Sequence, residues 1–473
     1  MGIEMQNRDG ISKLLIAAAA LAAALSLAAA APAAAFDLED ALGVAGALAT
    51  MAPHNPPAPP PAAAPPAAGK PKPVAKPGAS ASIPGLPPRG ETRFAINEVL
   101  VETKTGLSAA DLAAIGRRNR LTLAQSADIA LLGTSVHRYL IADKRTVRVV
   151  IIALAADRSV IFAQPNYGYS LEQQGASATP LPQYSVDLLH LGAAHAIATG
   201  AAIQVGVLDT GIADGNAELA DSITDRNDPI GPVTGDDISH GTAIAGIIAA
   251  HGQMVGVAPA VAIVSSRAFT SVNGAAPGST SFILLQGLDW LAGKNVRIVN
   301  MSFAGPKDPL FLTEIGKAHG KQILIVAAAG NDGPKAAPDY PAADPNVVGV
   351  TAIDEREQLL GAANRGSYVA LAAPGVDILV AQPDGGYGTS SGTSMAAAHI
   401  SGIAALLLQR DPSLGPDKLR QIMVATAQDL GPKGVDPQFG AGLADPEKAL
   451  QGLPAATIAV TAAKAGTAVA PSQ

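Results

Sequence analysis

The chain has 473 residues, enough for two to four domains at roughly 100–200 residues each and for a sizeable buried core. With 32 basic and 39 acidic residues the net charge is −7, which disfavours an electrostatic nucleic-acid binder, and 48% apolar with 15% charged residues argue against wholesale disorder or a charged coiled coil. The lack of cysteine excludes disulfides, thiolate metal sites, iron–sulfur clusters and cysteine nucleophiles.

Residues 1–35 read as a secretory signal. Lys13 precedes an uncharged apolar run, 14–35, that closes on Ala33-Ala34-Ala35. The run is long for a signal, so an uncleaved membrane anchor is the alternative. Either way the bulk of the chain is expected outside the cytoplasm, secreted or periplasmic. Residues 36–91 are rich in Pro and Ala, cannot bury a core, and are expected to be an extended linker.

Residues 92–171 carry the pattern of a small α/β module. Strands are expected at 94–102, 136–142 and 160–163, and helices at 108–120 and 146–156, with Ser108 and Asp111 capping the first. One strand is missing from this reading, in the unassigned stretch 121–132. The order nevertheless suggests a ferredoxin-like split βαβ fold. Residues 172–182 are polar and small, which suits an exposed, cleavable connector.

From 183 to 451 strands and helices alternate. Strands are expected at 204–208, 260–265, 296–301, 322–327 and 347–352, and helices at 281–292, 310–319, 394–409 and 416–427. This argues for an α/β domain, a mostly parallel sheet with helices on both faces, whose site lies beyond the carboxyl ends of the strands. Residues 452–473 are expected to form a flexible tail.

Three segments of this region carry chemistry. In Val205-Gly-Val-Leu-Asp209-Thr-Gly211 an apolar strand ends in an acid; taken alone, Asp209 would be an Asx turn. In Ser239-His240-Gly-Thr-Ala-Ile-Ala-Gly246 a histidine opens a small-residue helix; alone it would be a cap. In Gly392-Thr-Ser394-Met-Ala a serine starts an apolar helix; alone it would be an N-cap. Together they supply an acid, a base and a hydroxyl. A serine hydroxyl needs an adjacent base to become nucleophilic, and a histidine near neutrality can take and return its proton. A carboxylate on the far ring nitrogen fixes the tautomer and steadies the imidazolium.

Asp209-Thr-Gly, His240-Gly-Thr and Gly392-Thr-Ser394-Met-Ala, in that order, resemble the active-site signatures of the subtilisin-like serine proteases, the subtilases. The resemblance covers 183–451 and implies a serine endopeptidase that forms an acyl-enzyme on Ser394. It also implies that Asn331, in Gly330-Asn331-Asp-Gly333, donates its amide to the oxyanion beside the Ser394 N–H. Ser302, Phe303, Ala304 and Gly305, with Ala328, Ala329 and Gly330, would bind an extended polypeptide substrate by strand addition, the small side chains leaving room for a large apolar group. Two positions depart from the family pattern: Ala243 where many relatives carry a second histidine, and Ala398 where many carry a proline.

The resemblance further implies that 92–171 is a propeptide acting as an intramolecular inhibitor, cut away within 172–182. No cofactor is required for the chemistry. A structural calcium ion is left unassigned: Asp221, Asp225, Asp228, Asp236 and Asp237 cluster before His240 but read as solvated loop acids. An esterase-type hydrolase would need a Gly-X-Ser-X-Gly elbow, which the Ser394 segment lacks, and a non-catalytic binding protein on the same fold is disfavoured by the intact acid–base–hydroxyl set.

Overall fold

Alternation along β1 (Phe94–Thr103) sends Val99 and Val101 to one side and Leu100 to the other, all three buried. In the computed structural model, which describes residues 83–172, 174–177, 183–233, 235–271 and 277–454, this strand opens the expected module. It is followed by α1 (Ala109–Asn119), β2 (Leu121–Ile129), β3 (Thr134–Ile141), α2 (Val147–Leu154) and β4 (Phe162–Leu171). The antiparallel order β4-β1-β3-β2 is the split βαβ arrangement. Ser108 caps α1: its hydroxyl accepts from the Asp111 N–H, and the Asp111 carboxylate accepts from the Ser108 N–H at 3.1 Å. The signal-like segment, the linker up to residue 82, residues 173 and 178–182 of the connector and the tail from 455 lie outside the described residues.

β2 fills the stretch left unassigned from the sequence. Only Leu121 and Ile129, at its ends, are buried, and its register slips between Leu123 and Gln125. A bulged strand with so little buried surface shows no period of two. β4 runs eight residues beyond the expected 163, because pairing with distant strands, not its own composition, extends it.

The chain continues through β5 (Gln174–Ser177), α3 (Tyr184–Leu188), α4 (Leu191–His195), β6 (Gln204–Asp209), β7 (Ile223–Asn227), α5 (Ser239–Ala249), β8 (Ala262–Arg267) and β9 (Gly278–Thr280). Next come α6 (Ser281–Ala292), β10 (Ile298–Met301), β11 (Phe303–Ala304), α7 (Pro309–Gly320), β12 (Leu324–Ala328), β13 (Val347–Ile353) and β14 (Val369–Pro374). The described part ends with β15 (Ile378–Ala381), β16 (Tyr387–Ser391), α8 (Thr393–Arg410), α9 (Pro416–Thr426) and α10 (Pro446–Gln451). Seven strands form one parallel sheet, ordered β14-β13-β12-β10-β6-β8-β7. Val205, Val207, Leu324 and Val326 pack with α5 and α8 on one face. Leu208, Val299, Ile325 and Ala327 pack with α6 and α7 on the other. Both faces are therefore covered, as parallel strands require. Ala243 and Ala398, the two departures from the family pattern, sit buried in the α5–α8 core.

The module and this sheet belong to one unit, Ala79–Gln473. One face of the module buries its own helices. The other sends Leu100, Ile129, Leu131, Val136, Tyr167 and Tyr169 into the core on the α6 and α7 face. At about 1.5–3 kcal/mol gross per buried large side chain, this contact outweighs the roughly 1 kcal/mol of any single hydrogen bond across it. Polar contacts fix its register: the Leu131 N–H donates to Asp289 at 2.7 Å, the Tyr167 N–H to Ser281 Oγ at 2.9 Å, and the Phe282 N–H to Asn166 Oδ1 at 3.2 Å.

Glu314 on α7 is fully buried, and neither carboxyl oxygen has a partner. Burial first, then the nearby Asp289 and Asp308, push its pKa well above the ordinary carboxylate range. The folded state thus binds this proton more tightly than the unfolded chain. Its stabilising contribution is complete below about pH 4.5 and is lost as pH rises toward the folded value. Glu314→Met is expected to raise the melting temperature more at pH 8 than at pH 5, by about 1 °C for each kcal/mol relieved in a unit of this size. Calorimetry at the two pH values checks this, and an equal shift at both would refute the titration argument.

Candidate active site

The ends of three elements meet at one rim of the sheet. Asp209 is the last residue of β6, His240 the second of α5 and Ser394 the second of α8, and all three are essentially buried. The His240 ring nitrogen Nδ1 lies 2.7 Å from Asp209 Oδ1, which also accepts the Thr210 N–H at 2.7 Å. With Nδ1 carrying the proton toward the carboxylate, Nε2 of a neutral ring is left as an acceptor; it has no hydrogen-bond partner. The Thr210 hydroxyl accepts from the Gly241 N–H at 2.8 Å, tying the end of β6 to the start of α5.

The serine completes only part of the expected relay. Ser394 Oγ donates to the Ser302 carbonyl at 2.8 Å, and no hydrogen bond joins it to His240. A polar network holds this turn of α8. Ser302 Oγ donates to the Ser394 carbonyl at 3.0 Å, Asn300 Nδ2 donates to Ser302 Oγ at 2.8 Å, and Ser401 Oγ donates to Asn300 Oδ1 at 2.9 Å.

Asn331 follows β12. Its Oδ1 accepts from both the N–H and the hydroxyl of Thr393, at 3.2 and 3.1 Å, and its Nδ2 is buried with no partner. Gly330, at φ +111°, makes this turn possible; a Cβ there would stand 2.3 Å from Asn364 Nδ2. An unpartnered amide beside the N-terminus of α8 is chemically fit to receive a developing oxyanion.

The cleft is filled by the chain's own β4. Leu171 and Ser170 pair antiparallel with Phe303 and Ala304 of β11, while Ser170 and Tyr169 pair with Gly278 and Ser279 of β9. The Glu172 N–H donates to the Ser302 carbonyl at 3.4 Å, and the Glu172 carbonyl accepts the Ser394 N–H at 3.3 Å. Beyond it β5 pairs with β16, Gln174 opposite Ser391 and Ser177 opposite Thr389. The connector is therefore not an exposed loop throughout: Glu172 is only 6% exposed, and 174–177 form a strand. Pairing with β16 overrides the polar, glycine-containing composition.

Of the substrate-strand residues, Ser302, Ala304 and Gly305 line the cleft, whereas Phe303 turns into an aromatic core with Phe269, ring centroids 5.0 Å apart. Ala328, Ala329 and Gly330 are buried behind it. Where small side chains suggested an apolar guest, the cleft holds the Glu172 carboxyl, which receives the Asn331 main-chain N–H. Burial, then the charges of Asp339 and Asp332, push its pKa up to about 8. Asp339 itself is raised by burial, against the pull of Arg93, whose guanidinium pairs with it at 2.9 Å. Sequence reasoning missed Thr393, Asp339 and Asn364; only their contacts across the fold disclose them.

The other histidines lie elsewhere. His399 Nδ1 bonds to the Met395 carbonyl at 2.8 Å, and burial drops its pKa to about 4. Of the acids before His240, Asp228 and Asp236 both pair with Arg267, and Asp225 with Lys294. Among the described residues no group of three or more His, Cys, Asp or Glu side chains is placed to hold a metal ion.

Residues 200–442 match the family described as the subtilase family, Peptidase S8. The minor extracellular protease Epr of Bacillus subtilis is 38% identical over 251 residues, covering 52% of this chain and 38% of that protein. Subtilisin E of Bacillus subtilis is 31% identical over 308 residues, covering 63% of this chain and 77% of that one. The crystal structure of fervidolysin from Fervidobacterium pennivorans, a keratinolytic enzyme related to subtilisin, superposes with a TM-score of 0.66 at 25% identity, covering 79% of this chain and 63% of that one. With the three signature segments converging on one rim of a parallel sheet, and the family match spanning all of them, the chain belongs to the subtilases, the subtilisin-type serine endopeptidases.

Proposed function

We propose that the chain is a secreted serine endopeptidase, made as a zymogen whose 92–171 module is an intramolecular inhibitor. One observation carries the reading: an extended peptide lies in the cleft with the Glu172 carbonyl on the Ser394 N–H, next to the Asp209–His240 pair. The hydroxyl of Ser394 turns from the Ser302 carbonyl to His240 Nε2, gives up its proton there and attacks the scissile carbonyl carbon. The Ser394 N–H and Asn331 Nδ2 hold the oxyanion, and Asp209 orients the ring and steadies its charge. The peptide C–N bond breaks, His240 passes the proton to the leaving nitrogen, and water, deprotonated by His240, releases the acyl group. Export is supported by the apolar run 14–35 and by the extracellular relative.

The test is a fluorophosphonate applied to the aged, purified chain while hydrolysis of casein is followed. The expected result is one phosphonyl group, mapped to the peptide containing Ser394, with hydrolysis lost in proportion. Casein hydrolysis that survives complete labelling of Ser394, or a probe that lands on another residue, would remove Ser394 from its role.

A further inference from the structure

The cleft contacts one side chain of its resident peptide with particular chemistry. Tyr169, three residues before Glu172, is buried, and its hydroxyl donates to Asp308 Oδ2 at 3.1 Å. Its ring stands edge-on to Phe303 and Phe311, centroids 5.8 and 5.9 Å away. Gly305 leaves it space: a Cβ there would fall 2.4 Å from the tyrosine ring. Asp308 is fully buried and caps α7, accepting the Phe311 N–H at 3.1 Å. It also accepts Ser281 Oγ at 2.5 Å and, from the module, Gln164 Nε2 at 2.7 Å.

Phe303, Phe311, Ser281 and Asp308 all lie outside the module. Once the module leaves, Asp308 keeps its Ser281 and Phe311 donors and loses those from Gln164 and Tyr169. When a peptide fills the aromatic slot as Tyr169 does, Asp308 is shut from water, and a phenol there supplies Oδ2 with a donor beside Ser281 Oγ that a plain phenyl ring lacks.

We propose that Asp308 is a specificity-determining residue that selects a tyrosine three residues before the scissile carbonyl, and that the first bond so chosen is this chain's own, on the carboxyl side of Glu172. The inference rests on the endopeptidase reading above. In that step Ser394 Oγ bonds to the Glu172 carbonyl carbon, the C–N bond to Gln173 breaks, and the serine proton reaches the Gln173 nitrogen through His240. Water then replaces the serine and frees Glu172 as a carboxylic acid.

Three measurements test it. Mass spectrometry of the self-processed chain is expected to find Gln173 as the new N-terminus. Peptides spanning Tyr-Ser-Leu-Glu-Gln are expected to be cut after Glu with kcat/KM about ten- to hundred-fold above the same peptides with Phe for Tyr, a preference that Asp308→Asn narrows toward unity. In the full chain Tyr169→Phe is expected to slow the first cut about ten-fold or more. Casein hydrolysis with a different N-terminus, or with a Tyr-to-Phe ratio near one, overturns this inference alone. A chain that cuts neither casein nor itself overturns the endopeptidase reading as well.

Discussion

Replacing Ser394 by Ala is expected to lower turnover of casein by about 10⁶-fold, a magnitude carried over from subtilisins, and to leave the precursor uncut. The reasoning separates chemistry from folding. Ser394 is wholly buried at the start of α8, and its hydroxyl makes one hydrogen bond, to the Ser302 carbonyl. That carbonyl still accepts the Glu172 N–H, so the loss to stability stays near 1 kcal/mol. The N–H of residue 394 and the Asn331 amide remain, so a residue of roughly 10³–10⁴-fold over water survives from binding and oxyanion stabilisation. The measurement is kcat on casein beside the intact mass of the stored protein. A variant that processes itself at the normal rate would show that the cut is made by something other than Ser394.

Long, periodic elements were legible in the sequence. The helix expected at 281–292 is α6 to the residue, and the buried strands at 204–208 and 347–352 fall within one residue of β6 and β13. Short runs rich in Val, Ile and Leu have few other ways to bury themselves. The convergence of Asp209, His240 and Ser394 was legible for a different reason: each sits at the end of an element, where the neighbouring Thr210, Gly241 and Thr393 leave a short signature. The rest depends on pairing across the chain. β2 lacks alternation although it pairs with the next strand, β3, because it is bulged and buries little; the distal half of β4 takes its hydrogen bonds from β9 and β11, more than 100 residues away. Asp308 reads locally as an N-cap before Pro309; that it also meets Tyr169 and Gln164, more than 130 residues upstream, follows only from the docked module.

The same non-local pairing explains how one segment can be both substrate and plug. β4 is the shared edge of two constructions: it closes the module beside β1 and fills the gap between β9 and β11. Cutting after Glu172 breaks one bond near its end and leaves these ladders and the Tyr169 slot intact. In the proposed zymogen the newly cut module therefore stays on the cleft as a bound product. Its release is set by the apolar contact of Leu100, Leu131 and Val136 with α6 and α7, not by the chemistry.

Asp209→Asn is expected to lower kcat by about 10⁴-fold with little change in fold. In the native site a single oxygen, Oδ1, receives both the Thr210 N–H and the His240 ring at 2.7 Å, while Oδ2 is buried without a partner. The introduced amide has two settings. With its oxygen in the Oδ1 place, both donors keep an acceptor, but the negative charge that steadies the imidazolium is gone, and an NH₂ replaces the unpartnered oxygen in a site with nothing to receive it. With its nitrogen there, the Thr210 N–H faces another donor, and the ring must move its proton to Nε2, where it can no longer accept from Ser394. Either setting removes what the transition state requires and little that the ground state needs, so the loss falls on kcat rather than KM. Steady-state kinetics on the tyrosine-containing peptide, with circular dichroism to verify the fold, distinguish this from a structural role. A loss of only a few-fold would mean that His240 is oriented by its place at the start of α5 and not by the carboxylate.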